Sequence, residues 1–143
     1  MASVFDVAAY ILRQQGSMTA MKLQKLVYYS QAWSLVWDER PLFDEPIQAW
    51  ANGPVVPELY KAHRGDFMIS DLSRGNPNAL DGAGRDTINV VLDFYSGKSP
   101  QWLSDLTHME EPWRLAYGDT PPGERCHNEI TLASMAEYYE RIS

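Results

Sequence analysis

Residues 21–37, MKLQKLVYYSQAWSLVW, make the longest and most apolar periodic run of the chain, and the disposition of their side chains decides the fold. At 100° per residue, Leu23, Leu26, Val27, Ser30, Trp33 and Trp37 gather on one broad face. Tyr28 and Leu35 fall on the opposite side, together with Gln24 and Gln31. A helix apolar on two sides is either central in the fold or partly covered by a partner. The first reading makes this helix the axle of a mainly α domain. The second makes Tyr28, Gln31 and Leu35 a partner-binding face.

Outward from this run, shorter helical periods follow one another. Toward the N-terminus Phe5, Ala8, Ile11 and Leu12 repeat at helical spacing, Gly16 offers a stop, and Thr19 is placed to cap the long helix. After a proline-broken stretch, IQAWA alternates Ile47, Ala49 and Ala51 with Gln48 and Trp50, which predicts a short strand. Its expected partner is the segment FMISDLSRG. NGPVVPELYKAHRG reads as an extended elbow, with Gly53 and Val56 held extended by the prolines that follow them, feeding a short helix that begins at Pro57 and stops near Gly65. GNPNALDGAG is a turn-rich loop, and DTINVVLDFYSG a helix with Ile88, Val91, Leu92 and Tyr95 as its buried stripe. Ser99-Pro100 opens another helix with Trp102, Leu103 and Leu106 inward. DTPPGERCHN is a second surface loop, and Leu132, Met135, Ala136, Tyr139 and Ile142 mark the last helix. The expectation is one mainly α domain over residues 1–143, compact and helical, with a small two- or three-stranded β element.

Composition narrows the classes of function. A chain of 143 residues with 45% hydrophobic and 12% aromatic content has the material for one core, since a chain of this size buries roughly 68–70% of its unfolded surface. Net charge is −7, and no basic run exceeds two residues. Nucleic acid, which demands a concentrated positive footprint, is therefore not the expected partner. The single cysteine, Cys126, excludes an intrachain disulfide and a multi-thiolate metal cage. The first residues read as an amphipathic helix rather than a signal peptide, and no apolar stretch approaches the roughly 18 residues of a membrane span. The expected location is cytoplasmic.

The densest cluster of polar chemistry is LSDLTHMEEPW, residues 103–113. Thr107 and Glu110 fit a capping box, and Pro112 suits an early helical turn. On that reading the stretch is a tight joint between two helices, with Trp113 wedged into the core. The sharper reading makes His108 a general base oriented by Asp105 or Glu111. No serine or cysteine sits in a nucleophile frame, and no HExxH or CxxC spacing joins His108 to His63, His127 or Cys126 as metal ligands. Lys22 and Lys25 are a pair of charges without a phosphate-binding loop around them. Trp50, on the polar side of its strand, either packs under a helix or meets a partner. No catalytic residue, metal or cofactor is expected.

Taken in order, MKLQKLVYYSQAW, PLFDEPIQAWANGPVVPELY, LSDLTHMEEPW and the C-terminal amphipathic helix resemble the Panacea antitoxin domain, the SocA-like group found in prophage and other mobile elements. The signature positions are Gly53, Pro54, Pro57 and Tyr60 in GPVVPxxY, and Thr107, His108, Glu110, Pro112 and Trp113 in LTHxExPW with one extra acidic residue. The resemblance implies a largely helical domain that neutralises a cognate toxin encoded nearby by direct protein–protein binding. Alternatives are an adaptor that delivers the toxin to an ATP-dependent protease, and a hydrolase or metal enzyme centred on His108. Expected partner-binding residues are Tyr28, Gln31, Leu35, Trp50 and His108, the signature residues being mainly structural.

Overall fold

The long apolar run forms a helix, Ala20–Trp37, at the centre of a computed structural model that describes residues 1–143. In chain order the elements are α1 (Val4–Gln15), β1 (Met18–Thr19), α2 (Ala20–Trp37), β2 (Ile47–Trp50), β3 (Gly53–Val55) and α3 (Pro57–His63). They continue with β4 (Met68–Ile69), α4 (Gly82–Tyr95), α5 (Pro100–Met109), α6 (Glu111–Tyr117), β5 (Glu129–Ile130) and α7 (Leu132–Ile142). α1, α4, α5 and α7 all pack against α2, so the mainly helical architecture with a small β element is as the sequence implied. No helix is long and apolar enough to cross a membrane.

Of the two readings of α2, central burial holds. Leu23, Leu26, Val27, Tyr29 and Ala32 are fully buried, and Tyr28 and Gln31 are only 1% exposed. The expected partner-binding face at Tyr28 and Gln31 is therefore interior. α7 covers Tyr28, whose ring meets Tyr139 edge-on at 6.2 Å. The loop after α2 covers Gln31, whose Oε1 accepts from the N–H of Leu42 at 2.7 Å while its Nε2 donates to the Phe43 carbonyl at 2.9 Å. A helix buried all round needs polar side chains only where they serve backbone groups that lack secondary-structure partners.

Local signals explain most boundaries. Thr19 accepts from the N–H of Lys22 and starts α2; Ser99 does the same for Trp102 in α5. Gly16, at φ +80°, ends α1. α4 begins earlier than its periodicity implied, because Asp81 accepts from the N–H of Gly84 and draws Gly82–Gly84 out of the expected loop into the first turn. Trp102, expected inward, is 40% exposed beside the Lys98 ammonium.

The β elements differ from the expected pairing. β2 is the middle strand of an antiparallel sheet ordered β3-β2-β5, with Trp50 opposite Gly53 and Ile47 opposite Ile130. The segment around Met68 pairs instead with Met18–Thr19, just before α2. The extended elbow is thus the second strand of a tight hairpin. Pro54 fits there because β3 is an edge strand, where a missing N–H removes no ladder bond on its outer side.

Candidate functional site

The hairpin β2–β3 carries the first signature motif, and the α5–α6 joint carries the second. In space they lock together. Trp113 Nε1 donates to the Trp50 carbonyl at 2.8 Å, and Ser104 Oγ donates to the Asn52 carbonyl at 2.5 Å. Gly53, at φ +120°, lies so close beneath α5 that an added Cβ would stand 2.9 Å from Thr107 Oγ1 and 2.6 Å from Lys25 Cε. Only glycine accommodates both that backbone and that contact.

The joint is built differently from a capping box. Thr107 lies in the last turn of α5, and its Oγ1 donates to the Ser104 carbonyl at 2.7 Å instead of capping α6. α6 begins after Glu110, at φ −100° and ψ 144°, with no side-chain cap. Pro112 enforces the break, since its ring cannot continue the α5 helix through the carbonyl four residues earlier. The two adjacent glutamates have opposite fates. Glu111 is on the surface, paired with Arg141. Glu110 is buried, and its Oε1 accepts from both Tyr29 and Tyr139 hydroxyls at 2.7 Å. With the Tyr139 proton used there, Tyr28 is left to donate to Tyr139 across 3.0 Å. Burial raises the Glu110 carboxyl above its ordinary value, and the two tyrosine hydrogen bonds pull it partly back.

His108 is half-buried, its ring 4.1 Å from that of Trp113, and its Nε2 has no hydrogen-bond partner. Burial lowers its pKa; a backbone hydrogen bond at Ala51 opposes this and the Lys25 charge adds to it. Neither expected carboxylate orients the ring. Asp105 accepts from Gln101, and Glu111 is held by Arg141. No group of three or more His, Cys, Asp and Glu side chains is arranged to hold a metal ion.

Two further polar side chains of α2 serve the hairpin. Gln24 Oε1 accepts from the Val56 N–H at 2.9 Å, and its Nε2 lies 3.0 Å from His63 Nε2. Lys25, 1% exposed, donates to the Pro54 carbonyl at 3.2 Å. Both line a cleft of ≈ 470 Å3 between α2, the hairpin, α3 and the loop before β5, with Trp50, Tyr60, Arg125 and His127 at its walls. Trp50 is half-buried there, its ring 4.9 Å from that of Tyr60.

A second surface gathers aromatic rings. Trp37 stacks on Trp33 at 5.1 Å, Trp33 Nε1 donates to Tyr95 Oη at 3.0 Å, and Phe94 meets Tyr95 edge-on at 4.7 Å. The outer members, Trp37 and Phe94, are 45% and 62% exposed. The structure thus spreads the expected partner-binding residues apart: Tyr28 and Gln31 inside, Leu35 half-buried on α2, Trp50 in the cleft and His108 behind Trp113. Phe94 escaped the sequence reading because a single exposed ring beside a buried stripe leaves no periodic trace. Lys25 escaped because charge alone does not disclose burial.

The signature residues thus bolt a hairpin to a helix joint within a mainly helical domain. A family model for the Antitoxin SocA-like, Panacea domain matches residues 23–114, and the chain belongs to this family. No curated protein and no solved structure gave a match.

Proposed function

We propose that this chain is an antitoxin that neutralises a toxin encoded beside it by binding the toxin directly. Membership of the SocA-like Panacea family over residues 23–114 carries the reading. The aromatic chain from Trp37 to Phe94, exposed at its two ends, supports a protein-facing surface, because large rings held by neighbours lose little side-chain freedom on docking. Leu35, half-buried on the same helix as Trp37, is a secondary contact in this reading. The chain's net charge of −7 favours a toxin with a basic docking face.

Co-expression with the adjacent open reading frame tests the proposal. Growth is restored by the wild-type chain and a complex co-purifies. Phe94→Glu and Trp37→Glu weaken the complex while leaving thermal stability within about 1 kcal/mol, as substitutions at exposed positions do. A neighbouring product that is toxic but neither binds nor is relieved by this chain removes direct neutralisation.

A further inference from the structure

The cleft between α2 and the hairpin has a composition at odds with the rest of the molecule. Although the chain carries 19 acidic residues against 12 basic ones, no aspartate or glutamate lines this cavity. Its charged and titratable lining is Lys25, Arg125, His63 and His127, joined by Tyr60 and the thiol of Cys126. Lys25 sits at the floor with one hydrogen bond, to the Pro54 carbonyl, and no carboxylate within salt-bridge distance. Two of the three ammonium N–H groups have no protein acceptor. Burying an unpaired ammonium is costly, and a protein either neutralises it or supplies an anion.

The histidine beside it is fixed as neutral. Gln24 Oε1 accepts from the Val56 N–H, so its Nε2 faces His63 as a donor and His63 Nε2 must be the unprotonated nitrogen. Burial lowers the His63 pKa, with Asp66 opposing from outside the cleft. Arg125 is exposed at the rim. The available positive charge therefore amounts to Arg125 and, when protonated, Lys25. Because Arg125 is at the solvent-screened rim, the buried floor itself offers a single charge, which suits a monoanion. Above the floor, Trp50 meets Tyr60 at 4.9 Å and His127 at 6.1 Å, giving walls of aromatic rings around a space of ≈ 470 Å3. This volume is within the roughly 300–1,000 Å3 of small-molecule sites.

We propose that this cleft binds a small ring-bearing carboxylate, its carboxylate on the Lys25 ammonium at the floor and its ring against Trp50 and Tyr60. The site is separate from the aromatic line assigned to the toxin. Its occupation couples to protonation: burial lowers Lys25 to about 7, and an anion in contact raises it again. Binding near pH 7.5 therefore takes up protons. His108, behind Lys25, carries a lowered pKa of its own and remains neutral there.

Calorimetry with phenylacetate, phenylacetamide and inorganic phosphate tests the assignment on the full chain. Phenylacetate binds saturably at millimolar or lower concentration, and the neutral amide binds at least tenfold more weakly. Phosphate does not displace phenylacetate. Titration at pH 7.5 in two buffers of different ionisation enthalpy shows net proton uptake on the unsubstituted protein. Lys25→Met abolishes binding and Arg125→Gln weakens it several-fold; should Lys25→Met fail to fold, the buffer comparison and Arg125→Gln decide. Absence of saturable phenylacetate binding, equal affinity for the amide, displacement by phosphate, no proton uptake, or full affinity in Arg125→Gln or folded Lys25→Met overturns the proposal.

Discussion

Two buried ionisable side chains, Lys25 and Glu110, give the fold opposite responses to pH. Lys25 falls to about 7 on burial, from an ordinary 10.5. Between those values the unfolded chain binds the proton that the folded chain has released, so stability rises with pH from about 7 until the buried tyrosines begin to oppose it near pH 10. Lys25→Met, which keeps the side-chain shape, removes that rise and stabilises the protein at neutral pH. Denaturant unfolding at pH 7 and 9 measures it. Glu110 is raised above its ordinary 4.5, so its stability contribution is greatest below that value and declines as pH climbs through the folded pKa. Glu110→Gln keeps an oxygen for Tyr29 and Tyr139 and flattens this decline. Glu110→Leu strands the Tyr29 hydroxyl and leaves Tyr139 only its bond with Tyr28, with a cost of about 1–3 kcal/mol in unfolding free energy.

At the scale of elements, the hairpin β2–β3 and the α5–α6 joint stand or fall together. Gly53→Ala forces a Cβ against Lys25 and Thr107 in a left-handed backbone, and a loss of about 2–4 kcal/mol is expected from strain plus the clash. Trp113→Phe loses the bond to the Trp50 carbonyl and part of the ring packing on His108 and Tyr117, a change of about 1–3 kcal/mol readable from the midpoint of chemical unfolding. The sequence disclosed the members of this assembly but only part of its plan. Thr19, Ser99, Pro57 and Gly16 acted as their local chemistry implies, because caps and stops depend on residues three or four positions away. The strand at Ile47 was legible from its alternation; its partners were not, since Gly53–Val55 and Glu129–Ile130 are too short to show a period. A Thr-x-x-Glu spacing reads as a cap at Thr107, yet it carries no information about where the preceding helix ends. That was decided by Pro112 and by the burial of Thr107 against the hairpin.

Across the whole molecule, polar groups of α2 fasten non-helical backbone inside, while rings on α2 and α4 are left outside. Gln24, Lys25 and Gln31 are conspicuous in sequence only as polar interruptions of an apolar run, yet each holds a loop or strand against the central helix. Helical angles place Tyr28 and Gln31 on a second face of α2, and only tertiary packing shows that α7 and the loop after α2 cover them. The candidate partner surface passed instead to Trp37 and Phe94, whose exposure depends on the way α4 lies along α2. The central claim, direct toxin binding through that surface, meets its most direct test in calorimetric titration of the purified adjacent gene product with the wild-type chain and with Phe94→Glu. The wild-type chain is expected to bind with submicromolar affinity, and Phe94→Glu at least tenfold more weakly. An absence of binding by the wild-type chain contradicts neutralisation by direct contact, and equal affinity of the two proteins contradicts the surface.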